Sequence, residues 1–315
     1  MRSPAQFIAS VIAGGDDIAV KLVNFEKDGL VRLGLVKEGR IYDVAAAAET
    51  AGIKSLKAVT SVDQLLEDSL LEELAKNEEK VATGKGLALR SVKLRSPVLY
   101  PEKIIMVGVN YASHGRETKT PPPPYPYLFT KFRNALVDPD GDVIAPRASK
   151  KVDWEVELAV VIGKEGKDIK KGKAYGYVAG YTVSNDISFR DFQTQKNESL
   201  GLNWVKGKAM DASLPLGPWL VTRDEIPDPH GLSISLTVNG VKKQDSNTDQ
   251  IMFRVDGLVS YASIGTTLRP GDIISTGTPE GVGMATNGPY LKDGDVLEAK
   301  VERVGVLRNT VKAQR

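Results

Sequence analysis

The chain has no cysteine and only two histidines, His114 and His230, in 315 residues. Disulfide staples, thiolate zinc sites, iron–sulfur clusters and cysteine nucleophiles are therefore excluded, as is a three-histidine metal site. Neither sign of charge dominates: 42 Lys and Arg stand against 40 Asp and Glu, a net charge of +2, which supplies no broad basic field for nucleic acid. No apolar run approaches the roughly 20 residues that span a bilayer. Residues 7–13 are apolar, but the run is short and Asp16 and Asp17 follow closely, a poor signal-peptide pattern. The expectation is a cytoplasmic protein without nucleic-acid or membrane partners. A phosphate-binding glycine loop is also missing, since Gly163 and Gly166 lack the required spacing. What remains is chemistry by oxygen and nitrogen groups.

The composition is that of a globular chain, 41% hydrophobic and 26% charged, and too long for one small module. Residues 19–45 read as a hairpin around Lys27-Asp28-Gly29. From Ser61 the pattern turns helical, with Ser61 and Gln64 spaced as a capping box and Leu65, Leu66, Leu70, Leu71 and Leu74 recurring at helical intervals. After Pro97 short β-rich segments dominate, with strands predicted over 104–109, 155–162, 178–184, 219–222, 232–238, 272–276 and 296–304. Helices are predicted only over 188–195 and 250–264. Many strands and few helices argue against a doubly wound fold. The expected class is α+β and β-rich, with a small N-terminal α+β domain at 1–97 and a catalytic domain at 98–315.

The most informative stretch is Trp154-Glu155-Val156-Glu157-Leu158. On a strand, residues two apart share a face, so Glu155 and Glu157 point together. The pair is either a solvated strand edge or a pair of hard oxygen ligands for Mg2+, Mn2+ or Ca2+. Asp186 follows the strand 178–184 and opens a helix-like run in which Arg190 and Gln193 lie at i+4 and i+7. Asp186 reads as a helix cap paired with Arg190, or as a third carboxylate of the same site. His114 follows an apolar strand, and Glu117 one helical turn on could meet it and raise its basicity. The prolines 121–124 are a surface segment or a loop covering a cleft. Lys206 and Lys208 flank Gly207, as on many solvated surfaces. The glycines of 275–283 either build a tight turn or let backbone N–H groups approach a carboxylate.

In this order the segments resemble the fumarylacetoacetate hydrolase family, with its acylpyruvase and 2-hydroxyhepta-2,4-diene-1,7-dioate isomerase-like members. The resemblance covers about residues 101–311. It rests on Asn110-Tyr111-x-x-His114-x-x-Glu117, Glu155-x-Glu157, Asp186-x-Ser188-x-Arg190-Asp191, Gly207-Lys208, Thr276-Gly277-Thr278-Pro279-x-Gly281-Val282-Gly283 and the closing Gly305 to Thr310. It implies a mixed β-roll, usually a homodimer, in which Glu155, Glu157 and Asp186 bind a divalent cation, usually Mg2+. It also implies a His114–Glu117 dyad on a lid and a Lys208 that stabilises negative charge. Arg190 and Gln193 would orient substrate or water, Gly277 and Thr278 would hold a substrate carboxylate, and Lys131 would contact substrate. The sequence departs from the pattern at Phe132-Arg133-Asn134 and in its four-proline run. The expected reaction is hydrolysis of a C–C bond in an acylpyruvate or related β-diketo acid. The alternative is tautomerisation or decarboxylation of a 2-oxo dicarboxylate such as oxaloacetate.

Overall fold

Asp28 and Gly29 both adopt positive φ, 52° and 75°, the backbone of a two-residue hairpin loop whose twist matches its strands. In the computed structural model, which describes residues 20–195 and 201–314, they join strands Lys21–Lys27 and Leu30–Lys37 in full register. The apolar run at 7–13 lies outside the described residues. Strand Arg40–Asp43 completes the meander.

These N-terminal strands extend the main sheet, because Lys21–Lys27 pairs antiparallel with Leu214–Thr222. From there the sheet continues through Val178–Asn185, Val156–Ile162, Ile273–Ser275, Ile104–Gly108 and Tyr127–Lys131. The boundary expected near residue 97 does not interrupt this hydrogen-bonded order. A second, five-stranded sheet is built from Val241–Asn247, Ser233–Val238, Val296–Val301, Gly305–Ala313 and Asp142–Ala145. The predicted strands were close, though Leu214–Thr222 starts five residues before the expected 219 and the last ends at Val301.

Strand Val156–Ile162 is buried on both faces along its whole length, which suits its run of β-branched residues. Val156, Leu158 and Val160 join the core that also holds Ile234, Leu236 and Leu297 of the smaller sheet. Ala159 and Val161 face the other way, into the core shared with Leu22, Leu35, Val62 and Leu65. Each fully buried valine, leucine or isoleucine side chain contributes about 1.5–3 kcal/mol. The sheet is thus the middle layer, which fixes the start of this strand firmly.

The helical expectations need correction in detail. The leucine-rich stretch forms Val62–Glu67 and Leu71–Lys76, separated where Ser69 turns to φ 56°. Ser61 caps the first by accepting from Gln64 N at 3.1 Å, but the Gln64 side chain reaches Thr60 N instead of the cap residue's own N–H. The helix expected over 250–264 spans only Val255–Ala262. The one expected over 188–195 shrinks to Arg190–Gln193, because Ser188–Phe189 pairs as strand with Val152–Asp153. No helix among the described residues is long and apolar enough to cross a membrane.

Candidate active site

Glu155 ends the loop entering strand Val156–Ile162, Glu157 lies inside the strand, and Asp186 follows the neighbouring strand Val178–Asn185. The antiparallel register brings the two segments together, and Asp186 N donates to Glu155 O at 2.8 Å. One oxygen from each of the three carboxylates lies within 4.8 Å of the others, all buried. The solvated-edge reading of the glutamate pair is thereby ruled out.

Two cations lock Glu155. Arg190 Nη2 donates to its Oε1 at 2.6 Å and Lys208 Nζ to its Oε2 at 2.7 Å. Burial alone would raise this carboxyl, but Lys208 and Arg190 outweigh it and hold Glu155 well below the usual carboxylate range. Glu157 goes the other way. Burial and the neighbouring charges of Asp186 and Glu155 push it up to about 8. Its Oε2 accepts from Ser275 Oγ at 2.5 Å and from Gly277 N at 2.9 Å. Asp186 Oδ2 accepts from Lys208 Nζ at 2.8 Å. Asp186 Oδ1 lies 3.0 Å from Lys131 Nζ yet has no hydrogen bond, because the ammonium donates to Ile187 O, Lys208 O and Ser213 instead.

That arrangement fits a hard divalent cation. Asp186 Oδ1, without a hydrogen bond though 3.0 Å from the Lys131 ammonium, belongs to a buried cluster that offers three oxygen ligands. The crowding that holds a proton on Glu157 is the crowding a cation would relieve.

The expected helix face of Asp186, Arg190 and Gln193 does not exist. Arg190 bonds Asp153 Oδ2 through Nε at 2.8 Å, Gln193 Oε1 through Nη1 at 2.8 Å and Glu155 through Nη2, with no ion pair to Asp186. Asp153 was not anticipated. It continues the alternation of Glu157 and Glu155 by two residues, so the period-2 pattern carried the signal. It is fully buried and also accepts from Gly283 N at 2.7 Å and Met284 N at 2.9 Å.

His114 sits on helix Ala112–Glu117, with Nδ1 2.9 Å from Glu117 Oε1. Glu117 Oε2 accepts from Gly281 N at 2.9 Å. His114, Lys208, Gln193, Arg190, Glu155, Glu157 and Thr278 line one cavity of about 390 Å³, partly covered by Pro121 and Pro123. The dyad, the carboxylates and the lysine therefore meet, as the sequence implied. Lys208 is buried, unlike exposed Lys206. Burial opposes its charge, but Asp186 and Glu155 raise its pKa above the usual lysine value.

Of the other expected site residues, Lys131 and Gly277 are not part of the cavity lining, whereas Thr278 is. Lys131 is buried behind Asp186 and stitches backbone carbonyls together, and burial lowers its pKa. Gly277, at φ 94°, brings its N–H to Glu157, and a Cβ there would stand 2.8 Å from Asn110 Cβ. The Thr278 hydroxyl donates to Val156 O at 2.9 Å and accepts from Gln244 Nε2 at 2.8 Å. Gln244, also unanticipated, accepts from Val156 N through Oε1 at 2.9 Å.

Comparison with known proteins agrees with this geometry. The family model described as fumarylacetoacetate (FAA) hydrolase C-terminal matches residues 103–312. The chain is 48% identical over 221 residues, 70% of its length and 69% of the relative's, to the oxaloacetate tautomerase FAHD2A, mitochondrial, of Bos taurus. Among solved structures, the fumarylacetoacetate hydrolase from Exiguobacterium antarcticum superposes with a TM-score of 0.75 at 32% identity, covering 94% of this chain and 100% of that one. The maleylpyruvate hydrolase from Sphingobium sp. SYK-6, solved with manganese(II) and pyruvate, gives 0.74 at 29% identity over 94% and 100%. With its three buried carboxylates, its dyad and these matches, the chain belongs to the fumarylacetoacetate hydrolase family.

Proposed function

We propose that the protein interconverts the enol and keto forms of a 2-oxo dicarboxylate such as oxaloacetate, with Mg2+ or Mn2+ held by Glu155, Glu157 and Asp186. The observation that carries this reading is the placing of His114, which lines the cavity with the carboxylates and Lys208 and is anchored at Nδ1 by Glu117. One positioned proton carrier beside a charged floor is what ketonisation at C3 needs. Gln193 turns its carbonyl oxygen to Arg190 Nη1 at 2.8 Å. The tautomerase name of the bovine relative supports the same choice. The pyruvate and manganese(II) in the Sphingobium enzyme support a 2-oxo acid beside a cation.

A bound cation would withdraw electrons from the 2-oxo and carboxylate oxygens of the substrate. His114, its Nδ1 anchored by Glu117, would carry the proton to and from C3 through Nε2. Lys208 would stabilise charge developing on the C2 oxygen. Arg190 and Lys131 act as positioning residues, the first holding Glu155 and the second the backbone around Asp186. The expectation of a cytoplasmic location gains no support here, since the bovine relative is mitochondrial.

The test follows the ultraviolet decay of freshly dissolved enol-oxaloacetate, with Mg2+ or Mn2+ and again after chelation. Cation-dependent acceleration is expected. NMR of a parallel acylpyruvate panel guards against the other reaction. If acylpyruvates yield pyruvate and free acid faster than enol and keto forms exchange, hydrolysis is the true activity.

A further inference from the structure

The cavity has two unlike halves. Its floor carries the carboxylates with Arg190 and Lys208, and both of those cations are bound to Glu155. The other part of the lining is apolar, formed by Val109, Pro123, Tyr127, Phe129, Leu202 and Trp204. The Trp204 ring stacks on Phe129 with centroids 4.8 Å apart at 28°, and tilts against Tyr127 at 5.4 Å and 46°. This wall is incompletely covered, with Tyr127 44% and Leu202 38% exposed. Among the described residues that line it, the cation nearest this wall is Lys208, whose Nζ lies 5.4 Å from the Phe129 ring centroid and is already tied to Glu155 and Asp186. At about 390 Å³ the cavity lies in the range of about 300–1,000 Å³ that accommodates drug-sized ligands, well beyond the needs of a four-carbon diacid.

We propose that the site also takes 2-oxo acids bearing an aromatic ring on C3, the arylpyruvate class, and interconverts their enol and keto forms. This rests on the tautomerase reading of the same site. The carboxylate and 2-oxo group lie at the charged floor, and the ring lies against the Tyr127–Trp204–Phe129 wall, where offset or edge-on aromatic contacts are favourable. In the step itself the C2 hydroxyl of the enol loses its proton and C2=O forms. The π pair of C2=C3 becomes a new C3–H bond with a proton delivered from the His114 side of the cavity. The reaction is an isomerisation and requires no oxidant, reductant or co-reactant.

The experiment measures ketonisation of phenylpyruvate enol and of enol-oxaloacetate in parallel, using the full chain with Mg2+ or Mn2+. Both should be accelerated, and phenylpyruvate should compete with oxaloacetate. Trp204→Ala should lower the ratio of kcat/KM for phenylpyruvate over oxaloacetate by about tenfold, within the range of discrimination that pocket contacts provide. Tyr127→Ala, at a half-exposed position, should lower the same ratio and serves as the second variant should Trp204→Ala fail to fold. If oxaloacetate is turned over while phenylpyruvate neither reacts nor competes, the inference is overturned and the tautomerase reading survives. If neither enol is accelerated, the tautomerase reading fails and takes this inference with it. An unchanged ratio in both variants, with a reduced oligomeric mass by light scattering, makes the wall an interface between copies and overturns the proposal.

Discussion

The floor and the lid of the cavity are built on different principles. In the floor, Glu155, Asp186, Arg190, Lys208 and Lys131 are all buried and joined by close ion pairs; the two carboxylates flank central strands, Arg190 and Lys208 sit on short helices, and Lys131 ends strand Tyr127–Lys131. In the lid, a six-residue helix carries His114 and Glu117 and leads into an exposed proline run. The lid's side-chain ties run to one loop, through Glu117 to Gly281 N and Ser113 to Glu280. That loop also holds the floor, giving Gly277 N to Glu157 and the Gly283 and Met284 N–H groups to Asp153. The contrast teaches a division of labour. Charge is fixed where relaxation would be costly, the dyad assigned to proton transfer stands on a short helix beside an exposed proline run, and one loop of backbone donors ties to both.

The largest break in the comparison comes from the floor. Glu157→Gln keeps an oxygen to accept from Ser275 and Gly277 but removes an anionic ligand. A cation contributes several kcal/mol of charge stabilisation, so turnover should fall on the order of 10³–10⁵-fold. Stability in chelator should not fall, because Glu157 already holds a proton there at neutral pH. Calorimetry beside steady-state kinetics checks both. A loss of fold comparable to the loss of rate would mean that Glu157 is structural.

The lid should break differently. His114→Ala should lower kcat by about 10²–10⁴-fold, as expected for a positioned proton carrier, with cation affinity within a few-fold of the parent. Titration calorimetry with Mn2+ separates the two effects. Parallel loss of cation affinity would erase the distinction between lid and floor.

Arg190→Lys tests the floor's geometry with its charge retained. A lysine ammonium cannot span Asp153, Glu155 and Gln193 as the guanidinium does. Outer groups that orient metal ligands typically change affinity or activity by about 10–100-fold, and a loss of that size in Mn2+ affinity is expected. Wild-type affinity in this variant would show that Glu155 needs only a nearby positive charge.

The same contrast explains what the sequence could reveal. Strand-borne chemistry was legible because a strand repeats every two residues, so Glu155 and Glu157 could be placed on one face before any coordinates. The spacing of His114 and Glu117 was legible because one helical turn brings them together. Arg190 misled because i+4 spacing suggests a helical partner, whereas Ser188–Phe189 is held as strand by Val152–Asp153 and aims the guanidinium across to Asp153. Lys131 and Lys208 looked like surface or substrate-facing lysines. Only the tertiary fold encloses them with carboxylates and carbonyls. The joining of the N-terminal hairpin to Leu214–Thr222 depends on residues about 200 apart, a separation no local pattern encodes.

The smallest effect is the most diagnostic of the floor's electrostatics. Glu157 titrates at about 8 in the cation-free protein because burial, Asp186 and Glu155 all oppose its ionisation. Cation binding at neutral pH must therefore displace a proton, so apparent affinity should rise by about tenfold per pH unit below about 8 and level off above it. Stability carries the opposite sign. Between the ordinary glutamate value of 4.5 and about 8 the folded state binds more protons than the unfolded chain, so cation-free stability should fall as pH rises through that window. Asp63 and Asp272 are also raised by burial and add slopes of the same sign. The difference between the parent and Glu157→Gln isolates the one contribution, and saturating Mn2+ should remove it. Urea unfolding in chelator across this range, beside Mn2+ titrations at each pH, makes the measurement. An affinity that stays flat from pH 6 to about 8 would show that Glu157 is already ionised and that the floor holds no proton at neutral pH.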